Sequence, residues 1–429
     1  MTHHQPLRVA LLSVHTCPLA TLGGKKTGGM NVYVRELSRE LSQSGVKVDI
    51  FTRTQESCRS HAHESSHPPG IRVIHIPAGP IDTASTLVMA DHLPEFVAGV
   101  KAFAQQEAVR YDLIHSHYWL SGLVARELKQ AWDIPIVQMF HTLGHMKNRI
   151  ALSPDEREPE QRLKAENEAI QAADMLIAAT PAEKIQLMWL YGADMHKIQV
   201  IPPGVDIETF HPIDKAEARA AINIPQTDKL LVFVGRMERL KGLDTLINAM
   251  AILKRDDPHG LDNLYLSVIG GSPDNEAKDD IEFQRIKALR ESLGLQELIT
   301  FLGARDQPSL PYYYAAAEAV IMPSHYESFG MVALEAMACG APVIASEVGG
   351  LAYLIQDGVT GFHVPDQDPV ELAGKIKLIL DHEELRQEMS AAAVLSAQRY
   401  AWPRIAAQIV RVFTGLLEKE WPFFDEKGL

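Results

Sequence analysis

Residues 323–342 read PSHYESFGMVALEAMACGAP. The apolar run Ala319–Met322 just ahead of them is a short strand closed by Pro323, and Met331–Ala338 has the composition of a buried helix ended by Gly340 and Pro342. Glu327 then falls in the loop before the helix, and Glu335 about one turn inside it. This order puts the backbone N–H groups of Phe329, Gly330, Met331 and Val332 at a helix N-terminus, where they can hold a phosphate or diphosphate. A carboxylate at Glu335 can accept from a ribose diol, and one at Glu327 from sugar hydroxyls. Two readings stand: a nucleotide-sugar site, or two solvated helix carboxylates.

The same strand–loop–helix pattern extends outward to both ends. Leu7–Val14 (LRVALLSV) is a continuous apolar run with β-branched content, which predicts a buried parallel strand. A glycine-rich loop follows, Gly23-Gly24-Lys25-Lys26-Thr27-Gly28-Gly29, and then helical spacing over Asn31–Ser44. Glycine lets backbone N–H groups approach an anion, so the loop is either a phosphate cradle or a plain connection. It matches neither the dinucleotide fingerprint nor the Walker A pattern. Further strands are expected over Val46–Thr52, Ile71–Ile76, Asp112–His115, Ile134–Phe140, Met175–Ala179 and Ile198–Ile201, with helices such as Leu93–Arg110, Ser121–Ala131 and Glu160–Ala173 between them. That alternation implies a doubly wound parallel sheet with ligands at the carboxyl ends of the strands.

Ile201-Pro202-Pro203-Gly204-Val205-Asp206 breaks the pattern with a rigid connection. It restarts at Leu230–Val234 and continues through Tyr265–Ile269, Ile299–Leu302, Ala319–Met322 and Pro342–Ala345. The chain is therefore read as two Rossmann-like units facing across a cleft, residues 1–205 and 206–400. A helical segment, 401–429, is expected to pack back on the first unit.

Net charge is −14, from 41 basic and 55 acidic residues in 429, which argues against a general nucleic-acid binder. Cys17, Cys58 and Cys339 show neither a disulfide framework nor metal spacing, which suits a reducing cytoplasm. The N-terminus has no secretory pattern and no apolar run reaches the length of a membrane span, so a cytoplasmic protein is expected. His115-Ser116-His117-Tyr118-Trp119 and His141-Thr142-Leu143-Gly144-His145-Met146-Lys147 fall at strand ends, where histidines either meet a polar substrate or cap the strand. Neither stretch has the helical His spacing of a metal site. The His-rich loop Ser60–Pro69 reads as a solvated excursion.

Arg236 and Lys241, in GRMERLKG, follow the first strand of the second unit. Two cations there would stabilise the charge growing on a departing diphosphate. With these residues in place, the set GGMNVY, HSHYWLSG, HTLGHMKN, IPPGVD, GRMERLKG, ESFGMVALEA and GGLAYLIQDGVTG resembles the retaining glycosyltransferases of family 4, which have the GT-B fold. The resemblance runs from about Leu7 to Tyr400, with the motifs in the family's order.

What it implies is carried over residue by residue. Gly28 and Gly29 approach the diphosphate, Arg236 and Lys241 neutralise it, Glu327 faces the donor sugar and Glu335 holds the ribose. His141 lies against the donor sugar at the reacting centre, and the backbone of Arg305 pairs with the base. Neither a metal nor a tightly bound cofactor is implied; the partners are a UDP-sugar co-substrate and a phosphorylated sugar acceptor. The family's reaction keeps the anomeric configuration, by a front-face route in which the leaving phosphate helps deprotonate the acceptor.

Within the family the chain is most similar to the sucrose-phosphate synthases, which the TLG..K stretch favours, and the D-inositol-3-phosphate glycosyltransferases, which HSHYWLSG favours. By match to both, Tyr118, Thr142, Lys147 and Arg162 are the acceptor-phosphate candidates. Both groups carry a lysine in the segment 82–92, DTASTLVMADH, and this chain has none. Transfer of glucose from UDP-glucose to fructose 6-phosphate is the favoured expectation. A UDP-GlcNAc-dependent inositol-phosphate enzyme, a sucrose-synthase-like enzyme using free fructose and a nucleotide-sugar epimerase are the alternatives. A binding-only protein has no need of the Arg236, Lys241, Glu327 and Glu335 set, and a dinucleotide oxidoreductase would need the glycine fingerprint that is missing.

Overall fold

The computed structural model describes residues 6–20, 28–55, 70–81, 85–151, 154–257, 262–271 and 280–418. Gly23–Thr27 of the glycine loop, Cys58, the His-rich loop and part of the 82–92 segment lie outside them, as does the chain beyond 418.

The chain divides into two units, each built on a parallel sheet. In the first, β1 (Arg8–Leu12), β2 (Lys47–Arg53), β3 (Ile71–Ile76), β4 (Leu113–His117), β5 (Ile136–Met139), β6 (Met175–Ala178) and β7 (Ile198–Val200) lie in the order 3-2-1-4-5-6-7. The order reverses between β1 and β4, which is the switch point where doubly wound sheets open a ligand crevice. The inner strands are short and buried, because helices cover both faces of a parallel sheet. In the second unit, β8 (Lys229–Val234), β9 (Leu264–Ile269), β10 (Ile299–Gly303), β11 (Ala319–Met322), β12 (Val343–Ser346) and β13 (Gly361–Val364) form the order 10-9-8-11-12-13. β13 is absent from the sequence reading: four residues between glycine and proline, with His363 inside, leave too little periodicity to register.

Residues 203–401 and Gly28 belong to the second unit, and 6–20, 29–202 and 402–418 to the first. The last helix, Trp402–Glu418, repeats its apolar residues at helical spacing. Trp402, Ile405, Ala406, Ile409, Val412 and Phe413 are buried, and the helix packs on Gly29–Gln43 within the first unit. Trp402 meets Tyr33 edge to face, ring centres 5.4 Å apart.

Candidate active site

The second unit carries the expected nucleotide-sugar residues. After β8 the turn Arg239–Lys241 ends at Gly242, whose φ is +63°. A Cβ there would stand 1.8 Å from the carbonyl oxygen of Pro323, so only glycine lets the turn and the 323–330 loop come together. His325 N donates to the Leu240 carbonyl at 2.9 Å, and its ring Nδ1 lies 2.7 Å from Asp366 Oδ1. In this clamp Lys241 Nζ donates to Glu327 Oε2 at 2.5 Å. Gly242→Ala is expected to cost about 3 kcal/mol through backbone strain and overlap. A lower urea midpoint for the second unit's transition would show it; an unchanged midpoint would contradict the clamp.

Glu335 is buried in the helix Met331–Ala338 and accepts from the Tyr314 hydroxyl at 3.2 Å. Burial, and next the Glu335 charge, push the Tyr314 hydroxyl far above its ordinary range, so it stays protonated and donates. Gly330, at φ 104°, is the N-cap and brings no side chain to the first N–H groups of Met331 and Val332, the arrangement that favours an anion. Phe329 is buried, its ring 5.9 Å from that of Tyr400. Arg236 pairs with Glu238 at 2.6 Å, so it is Lys241 that is coupled to Glu327. Gly28 lies beside Arg236, where a Cβ would stand 3.9 Å from Nε. Arg305 is exposed and donates to the Tyr313 hydroxyl at 3.2 Å.

The first unit carries the remaining candidates. Gly29 opens the helix that bears Tyr33. His141 follows β5 at φ +63°, a conformation rare outside glycine, and its Nε2 lies 3.0 Å from His117 Nδ1. Burial lowers the His141 pKa to about 3, so the ring is neutral at pH 7 and one of the two rings donates to the other. β4 runs two residues beyond the expected end at His115 and stops at His117, so the stretch does meet a carboxyl strand end, with both rings fully buried. β4 lies between β1 and β5 with both faces covered, which encloses side chains on either side.

Tyr118, Thr142, Lys147 and Arg162 converge. Tyr118 has φ +75°, and the Arg162 guanidinium carbon lies 5.0 Å from its ring centre. Arg162 Nη2 donates to Thr142 Oγ1 at 3.1 Å. Two carboxylates that the sequence reading passed over complete the cluster. Glu166 is fully buried, and accepts from Arg162 Nε at 2.9 Å, from Gly144 N at 3.0 Å and from the Tyr191 hydroxyl. Glu158 Oε1 takes Lys147 Nζ at 2.8 Å and lies 2.8 Å from Arg162 Nη1. Both stand four residues from Arg162, the spacing that marks helical ion pairs and that could have found them.

Among the described residues no group of three or more His, Cys, Asp or Glu side chains is arranged to hold a metal. One Asp-x-Asp triplet, Asp366-Gln367-Asp368, escaped the sequence reading. Asp366 is engaged by His325, and Asp368 caps the helix Pro369–Asp381. No helix among the described residues is long and apolar enough to cross a membrane.

Two family descriptions match the chain: Glycosyl transferases group 1 over residues 214–395, and Glycosyltransferase Family 4 over residues 27–209. A D-inositol 3-phosphate glycosyltransferase of Catenulispora acidiphila is 40% identical over 96% of this chain and 96% of its own. A protein of the same description from Nocardiopsis dassonvillei is 39% identical over 95% of this chain and 94% of its own. The solved structure of a sucrose-phosphate synthase from Thermosynechococcus elongatus superposes with a TM-score of 0.87 at 35% identity, covering 96% of this chain and 100% of its own. With two parallel-sheet units and these matches, the chain belongs to the family 4 glycosyltransferases and has their GT-B fold.

Proposed function

We propose that the chain is a retaining hexosyltransferase that moves glucose from UDP-glucose to a hydroxyl of a phosphorylated acceptor, with fructose 6-phosphate assigned first. The observation that carries the acceptor class is the gathering around Arg162 of the Thr142 hydroxyl, the Tyr118 ring and, through Glu158, Lys147. Fructose 6-phosphate is favoured by the similarity to the synthase structure. D-inositol 3-phosphate is the second reading, favoured by what the relatives at 40% and 39% identity are described as.

In this reading Glu335, held by Tyr314, takes the ribose, and the N–H groups beginning the Met331–Ala338 helix take the diphosphate. Gly28, Gly29 and Arg236 line the diphosphate, and Arg305 offers its backbone to the base. Lys241 meets the negative charge that grows on the leaving phosphate, and Glu327 orients both Lys241 and the sugar. The bond from the anomeric carbon to the phosphate oxygen breaks, and the acceptor oxygen bonds to that carbon on the same face. The acceptor's proton goes to the departing phosphate. His141, being neutral, stands by the developing positive charge on the sugar without repelling it. No resident cofactor or metal takes part. The two described cysteines, Cys17 and Cys339, are buried and not joined in a disulfide, which suits work in a reducing cytoplasm.

The test is UDP release from UDP-glucose with fructose 6-phosphate, inositol phosphate, free fructose or no acceptor. Fructose 6-phosphate is expected to raise the rate well above the acceptor-free level while free fructose does not. Stimulation by inositol phosphate alone would select the second reading. Stimulation by free fructose alone would remove the phosphorylated acceptor.

A further inference from the structure

The acceptor cluster holds two cations, Lys147 and Arg162, and two carboxylates, Glu158 and Glu166. A pocket for phosphate is not expected to be neutralised from within, so the two carboxylates have to be told apart. Glu166 is 0% exposed and both its oxygens are engaged by the Gly144 N–H, while Arg162 Nε and the Tyr191 hydroxyl add one bond each. It is a fixed counterion. Removing it would strand the buried guanidinium.

Glu158 differs on every count. Its side chain is 19% exposed, and one oxygen serves both Lys147 and Arg162. Arg162 Nη1 comes within 2.8 Å of that oxygen as an ion pair. The backbone of Glu158 is nonetheless pinned. Its N–H donates to Asn148 Oδ1 at 2.6 Å, and its carbonyl accepts from Asn148 Nδ2 at 3.2 Å. A fixed backbone therefore presents one carboxylate oxygen to both the Lys147 and Arg162 cations at contact distance. Burial alone would raise the Glu158 pKa, but the Arg162 and Lys147 charges outweigh it and hold the group ionised.

We infer that Glu158 is a specificity-determining placeholder: it occupies the anion position between Lys147 and Arg162 until the acceptor's phosphate displaces it. A phosphate has three oxygens to offer where the carboxylate uses one, so it can take Lys147 Nζ, Arg162 Nη1 and the Thr142 hydroxyl together. An unphosphorylated acceptor cannot displace the carboxylate and meets a pocket whose cations are already paired. Discrimination for phosphate then comes from the resident anion as well as from the cations. This inference rests on the phosphorylated-acceptor reading above.

The test is Glu158→Gln in the full chain, with inorganic phosphate as the binding probe and fructose 6-phosphate as the acceptor. Calorimetry is expected to show phosphate binding about tenfold tighter than in wild type. The KM for fructose 6-phosphate should fall by a similar factor, with the KM for UDP-glucose unchanged. Glu158→Asp, with its carboxylate drawn back by one methylene, should fall between the two. If Glu158→Gln leaves phosphate affinity and the acceptor KM as they were, the placeholder role is overturned even where transfer to fructose 6-phosphate is confirmed. If phosphate binds tighter to Glu158→Gln but no phosphorylated acceptor is ever glycosylated, the anion position stands and the acceptor reading fails. A rise in the acceptor KM would mean that Glu158 holds the acceptor instead of yielding to it, and would overturn the inference too.

Discussion

Lys241→Ala is expected to lower kcat by about 10²–10³-fold while changing nucleotide affinity little, because in the proposed function its charge acts where negative charge develops as the phosphate departs. In the free protein Lys241 is held by Glu327 at 2.5 Å, in a clamp made by Gly242, His325 and the Pro323 carbonyl. The ammonium is thus fixed beforehand, and little reorganisation is left for the reaction itself. Glu335→Ala provides the contrast. Glu335 is buried against Tyr314 and is assigned to the ribose, so its loss should weaken UDP binding about tenfold or more and act less on turnover. Single-turnover kinetics and calorimetry on both variants separate the two effects. Equal UDP affinity in wild type and Glu335→Ala would remove the ribose assignment. A purely affinity-based defect in Lys241→Ala would remove the charge-stabilising one.

Arg162→Met is expected to destabilise the first unit by about 3–5 kcal/mol, since it leaves the buried Glu166 carboxyl without its cation. Glu158 and Lys147 would keep each other, so the damage centres on Glu166. Tyr191 and Gly144 still donate to that carboxylate, but neither carries charge. Urea unfolding of the variant should give a lower midpoint at unchanged slope. Adding Glu166→Gln should restore part of the loss, because the two residues share one network. Additive losses in the double variant would contradict the pairing. Where the variant still folds, the KM for the phosphorylated acceptor should rise and that for UDP-glucose should not.

The helix Met331–Ala338 was legible at both ends, because Gly330 and Gly340 bracket a run with no other breaker. The buried strands were legible for a similar reason: a parallel strand covered on both faces is apolar throughout, as in VALL of β1. Their ends were less so. β4 continues through His115 and Ser116 to end at His117, and nothing local shows that these polar residues extend the strand and are enclosed by it.

The candidate residues themselves were named through the motifs, but their partners were not. Tyr118, Thr142, Lys147 and Arg162 come from separate elements, and only folding brings them to one place. Glu158 and Glu166 had a visible signal in their four-residue spacing from Arg162. The requirement for glycine at 242 was invisible, since it comes from a carbonyl at Pro323 on another loop.

Transfer with retention onto a phosphorylated acceptor is tested most directly by the product itself. The protein is incubated with UDP-glucose and fructose 6-phosphate, and the product is analysed by mass and by NMR at the anomeric centre. A disaccharide phosphate with the α configuration kept at glucose is the expected result. A β-linked product, or UDP and free glucose alone, would contradict it.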